Sequence, residues 1–442
     1  MVIESLKYKI LQQFGFAPTQ EQGQALDTFV SFLTDRDPQA VMILRGSAGT
    51  GKTSLSGAIV RTLLQIRQKV MLLAPTGRAA KVFSLGSGAP AYTIHRRIYR
   101  EKAFAGVDGQ FSLNDNLYTD TLFMVDEASM IANMGLGGTT FGSGCLLDDL
   151  VKFVYQGHND RLLLIGDKAQ LPPVGEEESP ALSASVMEGY GLKVYECDLN
   201  EVLRQSQSSG ILYNATLIRQ MITHDAVTGL PLIRFKGFAD IVMMPGAELV
   251  ESLGDSYHHV GMDETMVITR SNKRANIYNN GIRNMVLDRE EELSSGDMLM
   301  IVKNNYFWTE KEKKESGEGS AGAVPVFLAN GDRAKVLRVS NYIELYGFRF
   351  ATLLLQLPDY DDYEMQVTGM LDTLQSEAPA LTHEQQEELF RQVEEDYQHF
   401  VPLKADRMKS IRQDAYFNAL QIKYAYAVTC HKAQGGQWAH VY

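Results

Sequence analysis

Four residues of one loop, Gly46, Gly51, Lys52 and Thr53, constrain this chain more than any others. They fill every fixed position of the pattern G-x-x-x-x-G-K-[ST]. An apolar run at residues 41–44 precedes them and a stretch of helical periodicity from Ser54 to Leu64 follows, so the local order is strand, glycine loop, helix. Without Cβ atoms in the way, the backbone N–H groups of such a loop can wrap phosphate oxygens, and the helix N-terminus adds partial positive charge. The pattern predicts a nucleoside triphosphate site lined by Gly46, Ser47, Ala48, Gly49, Thr50, Gly51, Lys52, Thr53 and Ser54. Lys52 would reach the β- and γ-phosphates, and the Thr53 hydroxyl would complete a Mg²⁺ shell.

Around this loop, short apolar runs at 41–44, 70–74, 121–125 and 161–165 alternate with helical patterns, which predicts an α/β fold with a buried parallel sheet. Residues 19–35 read as an amphipathic helix with Thr19 as N-cap. A polar excursion between His95 and Thr121, with glycines at 106 and 109, reads as a hairpin or arm, and the glycine-rich residues 135–144 as a loop. A second α/β unit is expected from near Val194, with a strand at 265–269, interrupted at about residue 295 and resumed near Phe417. The interruption holds a charged loop at 309–322 and β-rich stretches at 324–327, 334–339 and 349–357. An acidic segment at 358–400 follows, helical from 382, so the interruption is expected to be a small β-barrel with a helical appendage.

The net charge of −12 first argues against a nucleic-acid partner. Its distribution reverses that argument. Residues 358–400 contain twelve acids and one base, Arg391, a net of −11, which leaves the rest of the chain near neutral. Basic clusters occur at Arg96, Arg97, Arg100 and Lys102, at Lys273 and Arg274, and at Lys404, Arg407, Lys409 and Arg412. Such runs are more often solvated faces than phosphate contacts. The acidic segment is expected to lie away from any bound strand, because like charge repels phosphates within a Debye length of ~8 Å. No apolar stretch approaches a membrane span, and Cys145, Cys197 and Cys430 lack metal or redox spacing. These features suggest an intracellular protein without a membrane partner.

Two further strand ends carry chemistry. The run at 121–125 delivers Asp126 and Glu127 to its carboxyl edge, where Asp126 can hold Mg²⁺ through water and Glu127 can deprotonate an attacking water. After the run at 161–165 comes GDKAQLPPVG, in which Gln170 can sense the γ-phosphate; a proline-rich turn closing a strand would read the same.

Together these blocks resemble the RecD-like branch of superfamily 1 DNA helicases, nearest the Pif-type (petite integration frequency) family, and are similar to phage Dda helicase. Besides the loop, the resemblance rests on the glutamine motif ending at Gln22, APTGRAAK from Ala74, YTIH from Tyr92, DEAS from Asp126 and GDKAQLPPV from Gly166. It continues with NEVLRQ from Asn200, VITRSNK from Val267, ANGD from Ala329 and YAVTCHKAQG from Tyr426. The resemblance implies two RecA-like motor domains, residues 1–190 and 191–294 with 416–442. It also implies a wedge arm at 96–120 and an SH3-like β-barrel insertion at 295–415.

The roles it implies are ATP as nucleotide, Gln22 reading adenine, and Arg204 reaching the γ-phosphate from the second motor. Pro75, Thr76, Thr93, His95, Asn272, Lys273, Thr429, His431 and Lys432 would contact single-stranded DNA or its junctions with duplex. The implied activity is ATP-dependent 5′–3′ unwinding by a monomer, in settings such as repair, recombination or telomere maintenance. The family has a later block with a second γ-phosphate arginine, which this sequence lacks before Tyr442. Two alternatives follow: an ATP-gated single-strand clamp with little turnover, or a RecD-type subunit of a nuclease complex.

Overall fold

The first apolar run becomes β1 (Ala40–Gly46), a strand with every residue buried. A computed structural model describes residues 2–103, 110–134, 142–201, 209–223, 229–316, 325, 327–360, 362–401 and 403–442. After β1 come β2 (Lys69–Ala74), β3 (Ala91–Thr93), β4 (Tyr99–Ala103), β5 (Gln110–Leu113), β6 (Thr121–Val125), β7 (Arg161–Gly166) and β8 (Lys193–Leu199). Six of these form one sheet in the order β3-β2-β6-β7-β1-β8, and all its pairings are parallel. The strands alternate between two cores, as a pleat with period two requires. Met42 and Leu44 join Phe29, Phe32, Ile59 and Leu63 on one face, whereas Val41 and Ile43 join Phe123, Leu150, Phe153 and Leu164 on the other. Both faces are therefore covered, which is why the central strands read as unbroken apolar runs. β4 and β5 pair antiparallel beside this sheet; the glycines between them lie outside the described residues, as do residues 135–141 of the glycine-rich loop.

The chain forms two compact units, and the first runs to Met244, apart from a short stretch, Thr76–Arg78, that groups with the second. The sequence reading started the second α/β unit near Val194; instead β8 is the edge strand of the first sheet, beside β1. The cause is a buried charge. Arg45, 7% exposed on β1, needs anions, and Asp198 and Glu196 on β8 supply them at 2.6 and 2.8 Å. As an edge strand β8 is only partly covered, and its half-exposed pattern lacks the apolar run that marked its neighbours.

In the second unit, β9 (Thr265–Thr269) lies between two parallel strands from the far end of the chain, β15 (Ala427–Thr429) and β16 (His440–Val441). A closed barrel is inserted between β9 and β15: β10 (Met298–Ile301), β11 (Arg333–Leu345), β12 (Phe348–Leu357), β13 (Tyr363–Met370) and β14 (Leu420–Tyr424). Its interior is packed with Leu299, Val336, Leu353, Leu355, Val367 and Ile422. Two barrel strands arise where the sequence suggested otherwise, β13 inside the acidic segment and β14 in the stretch given to the resumed α/β unit. β13 alternates Glu364 and Gln366 outward with Met365 and Val367 inward, so its polar residues concealed a strand. The charged loop expected from 309 begins instead as a helix, Phe307–Ser316, anchored by Trp308, whose Nε1 donates to the Asn418 carbonyl at 2.9 Å. Of the β-rich stretch 324–327, residues 324 and 326 lie outside the described residues; next to it, Leu328 makes an isolated bridge with Asn305.

The helix expected from 382 spans His383–Gln398 and is started by a capping box between Thr382 and Gln385. No helix among the described residues is long and apolar enough to cross a membrane.

Candidate nucleotide site and strand-end contacts

The loop after β1 folds as its glycines dictate. Gly49 and Gly51 take φ of 79° and 83°, which L side chains rarely adopt, and Gly51 leads into the helix Lys52–Gln65. A Cβ on Gly46 would meet Leu199 Cβ and Thr50 Oγ1 at 2.9 Å, so this position admits glycine alone without a shift. The Lys52 ammonium donates to the carbonyls of Gly46 and Ser47 at 2.5 and 2.9 Å, spanning the mouth of the cradle. Thr53 and Ser54, in the first turn of the helix, are exposed. Gln22 is buried and performs two tasks: its Oε1 accepts from the Thr19 N–H at 3.0 Å in a capping box, and its Nε2 donates to the Thr50 carbonyl at 2.9 Å. The glutamine motif therefore braces the phosphate loop directly.

Three carboxylates surround Lys52 from neighbouring strand ends. Burial lowers the Lys52 pKa, while Asp167, Glu127 and Asp126 pull it back up. Burial likewise raises Asp126 and Glu127, and for Glu127 the charge of Asp126 adds to the rise. Glu127 sits at φ 52°, a left-handed conformation that costs a non-glycine residue on the order of 1–3 kcal/mol. Asp126 Oδ1 accepts the Glu127 N–H at 2.9 Å and holds that turn. Gln170 accepts from Ser129 Oγ at 3.3 Å, and its hydrogen bond to Glu127 partly offsets the rise in the Glu127 pKa. Because β6, β7 and β1 are adjacent and parallel, Asp126, Glu127, Asp167, Gln170 and the loop all gather at one carboxyl edge.

This donor set fits a triphosphate with Mg²⁺. The cradle has room for phosphate where glycines replace side chains, and buried acids of raised pKa are the groups a divalent cation would hold ionised. Thr53 and Asp126 would hold the metal. Among the described residues no group of three or more His, Cys, Asp or Glu is arranged to hold a metal unaided. A cation shared with phosphate oxygens does not need one.

The residues named for strand contact fall at the ends of other strands. Pro75 and Thr76 directly follow β2, and Thr93 ends β3, its parallel neighbour. Thr93 is 3% exposed and its hydroxyl caps the helix Ile94–Ile98 through the Arg96 N–H at 3.4 Å, a local role. The His95 ring lies 5.8 Å from that of Tyr99, and burial pushes its pKa down to about 4. In the second unit, Thr429 ends β15 opposite Thr269 of β9. Asn272 and Lys273 open the helix Asn272–Gly281, capped by Ser271. His431 is exposed, and burial brings Lys432 down to about 8. Each set is thus gathered at the carboxyl ends of adjacent parallel strands. Arg204 lies outside the described residues.

Sequence reasoning passed over Asp167, although it stands in the quoted block directly after β7. The cue was available: an acid at a strand end, as for Asp126. Arg219, on the helix Gly210–Thr223, also acts on the Lys52 charge, and no motif announced it.

Comparison with known proteins bears on the same region. A family model described as an AAA domain matches residues 17–229. The chain is 30% identical over 157 residues to the ATP-dependent RecD2 DNA helicase of Deinococcus radiodurans, covering 35% of this chain and 18% of that protein. It is 25% identical over 267 residues to the ATP-dependent DNA helicase dda of Enterobacteria phage T4, covering 58% and 55%. It thus spans less than two thirds of either relative. A Pif1 helicase structure from Bacteroides, in complex with ADP-AlF3 and ssDNA, aligns over 96% of this chain and 86% of that one at 13% identity and a TM-score of 0.45. In its motif order, matched domain and relatives, the chain is similar to the RecD-like branch of the superfamily 1 helicases.

Proposed function

We propose that the chain is an ATP-dependent DNA helicase that moves 5′ to 3′ along single-stranded DNA. The observation that carries the reading is Lys52 held among Asp126, Glu127 and Asp167 at the mouth of a glycine cradle. Bound there, ATP with Mg²⁺ would supply the phosphoryl chemistry. Lys52 would leave the carbonyls of Gly46 and Ser47 for phosphate oxygens. Glu127, with its raised pKa, would take the proton of the attacking water, and Gln170 would orient both. Gln22 keeps a second amide N–H for an adenine nitrogen while its first holds Thr50, which would couple base recognition to loop geometry. Arg204 would complete the charge on the γ-phosphate.

In this reading the first α/β unit and the sheet of β9, β15 and β16 are the two RecA-like motors. The β4–β5 pair is the wedge, and the barrel is an SH3-like insertion. The strand contacts are hydroxyls, amides and a few cations, which hold phosphates without reading bases and so permit sliding. The test is ATP turnover with and without a single-stranded oligonucleotide. A motor's turnover rises many-fold with the strand and Lys52→Ala abolishes it while strand binding stays within a few-fold. A rate unchanged by DNA, with binding intact, would favour the ATP-gated clamp.

A further inference from the structure

A loop of the second unit lies across side chains that would suit a phosphate. Residues 375–377 are pinned on both sides: Thr373 Oγ1 donates to the Ile422 carbonyl at 2.8 Å, and the Leu381 N–H donates to Gln421 Oε1 at 3.0 Å. Between these pins, Asn276 Nδ2 donates to the carbonyls of Gln375 and Ser376, both at 3.0 Å. Lys423 Nζ donates to the same Ser376 carbonyl. Lys273 Nζ stands 3.7 Å from Glu377 Oε1, both groups largely exposed. Donors from the helix Asn272–Gly281 and from β14 therefore converge on two carbonyl oxygens and a carboxylate of three consecutive residues.

The charge balance of this cluster is unusual. Lys423 is 6% exposed, yet its partner is a neutral carbonyl, and among the described residues no carboxylate pairs with it. Burial and then the like charge of Lys432 bring it down to about 8. A buried ammonium without a counter-charge is costly, and an anion beside it would remove that cost. Glu377, by contrast, is two-thirds exposed and faces the outer lysine.

We propose that Lys273, Asn276 and Lys423 form a phosphodiester-binding subsite, which residues 375–377 occupy as an internal stand-in until a nucleic-acid strand displaces them. The inference rests on the reading that this unit binds single-stranded DNA. It extends that reading to Asn276 and Lys423, and makes this loop a competitor for the groove. In the strand-bound state the phosphate takes the donors now held by the Gln375 and Ser376 carbonyls, and Glu377 moves away from Lys273.

Fluorescence anisotropy of a labelled oligothymidylate, titrated with the full chain at several salt concentrations, tests this. Glu377→Gln should tighten binding about two- to fivefold, the range expected of one exposed like-charge contact. Glu384→Gln, which changes net charge equally on the nearby acidic helix, should leave it unchanged. Lys423→Met should flatten the slope of log affinity against log salt by about 0.7, one phosphate's worth on a single strand. Should Lys423→Met fail to fold, the two exposed glutamate variants decide alone. Wild-type binding that Glu377→Gln leaves unchanged, or that both glutamate variants tighten alike, overturns the subsite. Absence of strand binding by every folded variant overturns the underlying reading as well.

Discussion

At Glu127 the backbone and the chemistry are coupled. A glutamate at φ 52° is held there by its neighbours, and the same turn sets its carboxyl beside Asp126 under cover that raises its pKa. Glu127→Gln should therefore retain nucleotide binding while turnover falls by about 10²–10⁴, because an amide cannot accept the proton. Equilibrium binding and steady-state hydrolysis measured side by side check this; a fall of less than about tenfold would assign the base elsewhere. His95 offers a pH test. Its pKa falls from an ordinary 6.5 to about 4 through burial, so between those values the unfolded chain binds a proton that the folded chain does not. Stability should accordingly be lost as pH drops from 6.5 towards 4. Urea midpoints at pH 7 and pH 5 should separate more for the wild type than for His95→Asn.

Among the elements, the decisive join is where the chain leaves the barrel at β14 and enters the sheet at β15. Asn279 bridges that step, accepting the Ala427 N–H at 2.7 Å and donating to the Ala427 carbonyl at 3.0 Å. Beneath it Asp297, fully buried at the start of β10, takes Arg283 at 3.0 Å on each oxygen, Arg289 at 2.5 Å and the Tyr426 hydroxyl at 2.8 Å. Arg283 also lies over the Tyr424 ring at 4.6 Å. The network thus ties both strands flanking the step to the helical segment before the barrel. Asp297→Asn would leave the buried Arg283 guanidinium and the partly buried Arg289 guanidinium without their counter-charge, and should destabilise the second unit by about 3–5 kcal/mol in urea unfolding. A loss below about 1 kcal/mol would mean that solvent already screens the pair.

On the scale of the whole chain, charge is segregated rather than balanced. The acidic helix His383–Gln398 is partly neutralised, by its own Arg391 with Glu388 at 2.5 Å and by Arg407 of the helix Lys404–Arg412 with Glu394 at 3.4 Å. Of the nine residues named for strand contact, two, Lys273 and Lys432, are lysines. Strand affinity should therefore fall with salt only moderately, at about −0.7 per phosphate neutralised. A slope that implies more than about eight ion pairs would show that the groove is lined by cations instead.

What the sequence determined by itself was whatever local rules control. The glycine loop, the buried strands around it, the Thr19 and Thr382 caps and the acids at strand ends could all be read because each depends on a few consecutive residues. Tertiary structure alone decided the rest. β8 joined the first sheet because Arg45 needed anions from 151 and 153 residues away. β13 became a barrel strand because its inward Met365 and Val367 met a core built by β10, β12 and β14. Gln22 came to hold the phosphate loop across 28 residues, and residues 375–377 came to rest on Asn276 and Lys423. Burial and charge compensation are properties of surroundings, and a linear pattern cannot display surroundings that distant parts of the chain supply.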